Sequence, residues 1–94
     1  MTPTERLKAA LDALPTTGPD DVAKFFTDRG IKGYLEDPGW CPTAYYLRCC
    51  GFTSPCVGEN GVFTEDASFT ALPYSVRQFV ESFDGGEYPD LVGA

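Results

Sequence analysis

CVGENGVFTEDASFTALPYSVRQFVESF, residues 56–83, sets a hairpin pattern directly against a helix pattern. Cys56-Val57 and Val62-Phe63-Thr64 are short apolar runs on either side of Gly58-Glu59-Asn60-Gly61. Asn-Gly supports the positive-φ residues that a tight hairpin turn uses, so the segment predicts a β-hairpin. Glu65-Asp66-Ala67-Ser68 reads as a second turn, and Phe69-Thr70-Ala71 as a short third strand. From Pro73 the period changes. Val76, Phe79, Val80 and Phe83 recur at i, i+3, i+4 and i+7, the spacing of one buried helix face, and Gly85-Gly86 ends the run. A two-stranded ribbon is marginal alone, so this helix is expected to cover one face of the hairpin.

Three helices are expected before the hairpin. The first runs from Pro3 to Leu14, with Thr2 as N-cap, Glu5 completing a capping box, and Leu7, Leu11 and Leu14 on one face before Pro15. The second opens at Pro19, places Asp20 and Asp21 at its positive end, and buries Val22, Ala23, Phe25 and Phe26. Gly30 stops it, pairing Phe26 with Ile31 across a Schellman cap. Residues 32–40 read as a loop with turn chemistry at Asp37-Pro38-Gly39. The third helix covers Pro42 to Cys50 behind an N-cap at Cys41, and Gly51 repeats the cap, pairing Leu47 with Phe52. The tail EYPDLVGA carries Tyr88, Leu91 and Val92 and is expected to fold back onto the core. The predicted order is α-α-α-β-β-(β)-α. It describes an α+β fold of four short helices and a small two- to three-stranded antiparallel sheet, one domain over residues 1–94.

Composition narrows the function. Apolar residues make up 43% and aromatics 14%, too many for a disordered chain, and the seven phenylalanines are expected to supply much of the core. No apolar run reaches the roughly 20 residues that span a bilayer. The N-terminal stretch lacks the apolar core and small-residue site of a secretion signal, so a cytoplasmic protein with reduced cysteines is expected. Fourteen acids against seven bases give a net charge of −7. Most of it lies in residues 49–94, where seven acids face Arg77 alone. That balance argues against nucleic acid, whose phosphates require a basic footprint, and against anionic membrane.

There are no histidines, which removes Ser-His-Asp and Cys-His catalysis and histidine metal sites. The four cysteines follow C-x7-C-C-x5-C, unlike the close pairs of structural zinc sites, so neither metal nor cofactor is expected. Cys49, Cys50 and Cys56 read as small buried apolar residues. Cys41, at a helix N-terminus, is the candidate reactive thiol, because the helix dipole favours thiolate there. Packing under Trp40 as a cap residue is the favoured reading. Tyr34, Trp40, Tyr45 and Tyr46 cluster before and on the third helix. With Arg48 they are the candidate binding residues, since Tyr, Trp and Arg dominate protein-binding hot spots.

Three segments carry a resemblance: GIKG at 30–33, CPTAYYL at 41–47 and LPYSVRQFVESFDGGEYPDLV at 72–92. Together they resemble a group of small uncharacterised proteins of actinobacteria and actinobacteriophages with an IKG…CPxAxYL…LPxxVxxFVxxFDxGxYPDLV pattern. The resemblance brings no catalytic residue or cofactor to this chain, and Cys49, Cys50 and Cys56 fall outside it. It implies a phage or prophage accessory protein of the kind that binds a host protein. The expected function is a small acidic protein-interaction module with an unknown protein partner. A cysteine-dependent redox or transfer enzyme using Cys41 and a self-associating structural protein are the alternatives.

Overall fold

Proline opens three of the helices. α1 (Pro3–Asp12), α2 (Pro19–Asp28) and α3 (Pro42–Cys49) each carry it in the first turn, where a missing N–H has no helical partner to lose. α4 (Tyr74–Asp84) follows an N-cap at Pro73. The computed structural model describes residues 2–93.

The caps read from sequence form as expected. The Glu5 N–H donates to Thr2 Oγ1 and the Thr2 N–H to Glu5 Oε1, both at 3.1 Å. These bonds hold the Glu5 carboxyl below its usual range. At the end of α2 the Ile31 N–H donates to the Phe26 carbonyl at 2.9 Å, and at the end of α3 the Phe52 N–H donates to that of Leu47 at 3.1 Å. Both closures turn on a glycine, with φ of +68° at Gly30 and +94° at Gly51, a region side chains rarely adopt. α4 closes in the same manner, with the Glu87 N–H on the Ser82 carbonyl at 3.1 Å. α1 stops at Asp12 rather than at Leu14, because the residue before Pro15 is disfavoured in helical conformation. Leu14 is nevertheless buried with Leu7 and Leu11.

β1 (Cys56–Val57), β2 (Gly61–Phe63) and β3 (Thr70–Ala71) pair antiparallel in the order β1-β2-β3. Val62 lies opposite both Val57 and Thr70. The fold is α+β, with elements in the order α-α-α-β-β-β-α.

Three further expectations are corrected. First, neither Asn60 nor Gly61 takes a positive φ. The loop closes through the Gly58 N–H on the Gly61 carbonyl at 2.9 Å. Gly61 is required for a different reason: a Cβ there would stand 2.6 Å from the Thr70 carbonyl oxygen and 2.4 Å from the Phe69 ring. Second, Phe63 and Phe69 stay out of the core. They are 57% and 49% exposed and lie against each other, centroids 4.9 Å apart, on the outer side of the sheet. Phe25 is half-buried, and Phe26, Phe52, Phe79 and Phe83 are buried.

Third, α4 does not lie chiefly on the hairpin. Val76, Phe79, Val80 and Phe83 are buried as their spacing requires, but α4 packs most extensively on α2. The strands are two or three residues long and turn few large apolar groups inward, mainly Val57 and Val62. The Val22 and Phe26 stripe of α2 is the larger apolar surface, and burial follows apolar area. The sheet is held at its rims instead, β1 beside α3 and β3 beside α1.

The tail folds back as expected. A 3-10 helix at Pro89–Leu91 buries Leu91, while Val92 remains 38% exposed, and Ala94 lies outside the described residues. Gly33 bridges to Val92 in parallel: the Gly33 N–H donates to the Leu91 carbonyl, and the Gly93 N–H to that of Gly33, both at 2.9 Å.

The centre of the core is Phe79, fully buried, with ring centroids 5.2 Å from Phe26, 5.3 Å from Tyr88 and 5.9 Å from Phe83. Phe79→Ala is expected to cost about 3–5 kcal/mol, a large share of a small domain's stability. Denaturant melts followed by circular dichroism measure this; a loss below about 1 kcal/mol would contradict the assigned core.

Candidate functional site

The segment from Ile31 to Cys41 builds a concavity on the surface walled largely by aromatic side chains. Residues 31–34 run extended, with Ile31 and Gly33 buried and Lys32 and Tyr34 exposed, the alternation that period-2 backbone imposes. Gly33 permits a close crossing. A Cβ there would stand 2.5 Å from the Trp40 carbonyl oxygen and from the Cys41–Pro42 peptide. The Tyr34 N–H donates to that Trp40 oxygen at 2.9 Å, closing residues 34–40 into a loop.

Within the loop, Asp37 forms the turn its sequence context predicts. Its carbonyl accepts from the Trp40 N–H at 3.1 Å, and its Oδ1 accepts from the Gly39 N–H at 3.1 Å. Glu36 takes a φ of +53°, and its N–H donates to Asp84 Oδ1 at 3.0 Å, fastening the loop to the end of α4. The Val57 N–H donates to the Pro38 carbonyl at 2.8 Å, fastening it to β1.

The result is a cleft of about 400 Å³ walled by Tyr34, Trp40 and Tyr45, with Lys32 and Asp37 at its polar margins. Its volume lies in the range of small-ligand and side-chain-binding sites. The three aromatic residues keep 41–47% of their surface exposed. Arg48 braces the cleft from behind. Its guanidinium lies 4.1 Å from the Trp40 ring centroid, and Nη2 and Nε donate to the Gly39 carbonyl at 3.1 and 3.3 Å. Arg48 therefore positions Trp40.

Four of the five sequence-derived binding residues converge here: Tyr34, Trp40 and Tyr45 as walls and Arg48 as brace. Tyr46 does not. Successive helical residues point about 100° apart, so Tyr45 faces outward and Tyr46 inward. Tyr46 is 9% exposed, and its hydroxyl donates to the Ala10 carbonyl at 2.7 Å, tying α3 to α1. The sequence reading missed Lys32 and Gly33; the alternation of 31–34 was the available signal.

Cys41 is buried, at 4% exposure. Its thiol is pushed from an ordinary 9.0 up to about 11, because burial penalises the thiolate. The Ala44 and Thr43 backbone N–H groups do pull it down, as the helix-terminus argument predicts, but burial outweighs them. Cys41 thus packs as a cap residue and lacks the accessibility of a reactive thiol. Cys49, Cys50 and Cys56 reverse the other expectation, since all three are exposed. Among the described residues, no three His, Cys, Asp or Glu side chains are grouped to hold a metal ion. No described helix is long and apolar enough to cross a membrane.

Three measurements test this geometry. Gly33→Ala is expected to destabilise by about 1–3 kcal/mol and to alter Trp40 fluorescence, since the added methyl must push the crossing backbone segments apart. Unchanged stability and emission would contradict the crossing. Alkaline pH tests the buried groups. Burial also pushes the Tyr46 hydroxyl from 10.0 up to about 12. Both groups hold their protons more tightly when folded, so the unfolded chain ionises first. Stability is then fully present below pH 9 and declines as pH rises through about 11 and 12. Denaturation midpoints should show a shallower decline in Cys41→Ala. Alkylation at neutral pH should reach Cys49, Cys50 and Cys56 in the folded protein and Cys41 only on unfolding.

Compared with known proteins, the chain matches no protein-family model, and no curated protein or solved structure shows significant similarity to it.

Proposed function

We propose that this protein is a small acidic protein-interaction module whose contact surface is the cleft of Tyr34, Trp40 and Tyr45. The observation that carries this reading is the exposure of three large aromatic side chains around one braced concavity. Tyr and Trp offer large contact area at little conformational cost, and Trp40 already has its cost lowered by Arg48. The resemblance to small actinobacterial and phage proteins favours a phage or prophage accessory role, with a host protein as partner. An enzyme built on Cys41 has no support from the thiol's burial or its raised pKa.

A second reading, self-association, draws on the exposed Phe63 and Phe69 pair on the sheet. The two readings use different surfaces and separate in one experiment. Tagged protein is used for capture from host lysate beside Trp40→Ala/Tyr45→Ala and Phe63→Ser/Phe69→Ser variants, with the solution mass of each. The cleft reading expects a specific protein retained by the native chain and by the sheet variant. The cleft variant should bind it about thirtyfold more weakly, the loss of a hot spot worth roughly 2 kcal/mol. A native dimer that only the sheet variant dissociates, with no specific capture, would replace this reading with the second.

A further inference from the structure

On the far side of the Asp37-Pro38 turn from the aromatic cleft lies a second concavity of about 230 Å³. Glu36, Asp37, Glu59 and Asp84 stand around it, over a floor that includes Val57 and Val80, and no basic residue among those described lines it. Its volume is below the usual range for a small-molecule site and suits a single side chain. The walls come from three elements, the loop, the hairpin and the end of α4, held by the Glu36 to Asp84 and Val57 to Pro38 hydrogen bonds. Carboxylates of one sign around a low-dielectric floor focus a negative potential.

The two concavities differ in charge and share a wall. The aromatic cleft has Lys32 and Asp37 in balance, while the brace Arg48 is engaged by Trp40 and Gly39. A cation gains nothing there from net charge, but does gain across Asp37. We propose that the partner presents a short basic segment, with an uncharged apolar or aromatic side chain seated in the aromatic cleft and a lysine or arginine in the carboxylate pocket beside it. This rests on the reading of the cleft as a protein-binding surface. The overall charge of −7 acts in the same direction, attracting a basic segment to the protein at low salt.

The test uses the full chain, isotope-labelled for NMR, and three pools of short synthetic peptides. The pools are matched in apolar content and differ only in carrying Lys, Gln or Glu beside the apolar anchor. The Lys pool is expected to shift the Trp40 indole N–H together with the backbone amides of Glu36, Val57 and Asp84. Glu36→Gln and Glu59→Gln should each weaken Lys-pool binding about two- to fivefold, as for exposed charge pairs, and added salt should do the same. Equal shifts of Trp40 by all three pools, with pocket amides unmoved, would overturn the basic-segment proposal and leave the cleft reading standing. No response of Trp40 to any pool would overturn both.

Discussion

The packing of Phe79 on Phe26 is the contact from which the rest of the molecule follows. It joins α2 to α4 through two rings more than fifty residues apart in sequence, edge to face at the centre of the core. Tyr88 stacks on the same ring and anchors its hydroxyl on Asp20 Oδ1 at 2.7 Å, which turns the chain after α4 back over α2. That return places Leu91 and Gly93 where their backbones can bond Gly33. The aromatic cleft is thus built on a loop whose first extended segment is held by the C-terminal tail. The position of the tail is itself set by one buried ring.

The loop from Ile31 to Cys41 shows how a segment with little regular structure can be well determined. It is fastened to the tail at Gly33, to β1 at Pro38, to α4 at Glu36 and to α3 through Arg48. Each fastening satisfies a backbone group that would otherwise need water. Pinning at four points holds in place the loop that carries Tyr34 and Trp40 while leaving both side chains exposed. Cys41, at the end of the same loop, illustrates a competition of magnitudes. The start of an eight-residue helix offers a thiolate partial positive charge, but burial removes the water that would solvate it, and burial prevails.

Features decided by neighbours along the chain were legible in the order of residues. The Thr2 and Glu5 capping box, the glycine closures after Phe26 and Leu47, and the α4 stripe all depend on residues within about two turns of one another. So did the aromatic cluster, since Tyr34, Trp40, Tyr45 and Arg48 lie within fifteen positions. Illegible were the features set by residues far apart. Gly61 is glycine because Phe69 and Thr70 cross it, not because a turn needs a positive φ. Phe63 and Phe69 look like core material by composition, yet their side of a three-stranded sheet receives no layer.

Element types, their order, the caps and the acidic balance were already fixed at the level of the chain, because these are local or additive properties. Folding in three dimensions was needed to settle that α4 covers α2 rather than the hairpin, that Tyr46 turns inward while Tyr45 lines a cleft, and that Cys41 is sealed. It alone joined Glu36, Asp37, Glu59 and Asp84 around one pocket. Those outcomes depend on which apolar surfaces compete for the same burial. That competition is settled by area and shape across the whole chain, which no local pattern encodes.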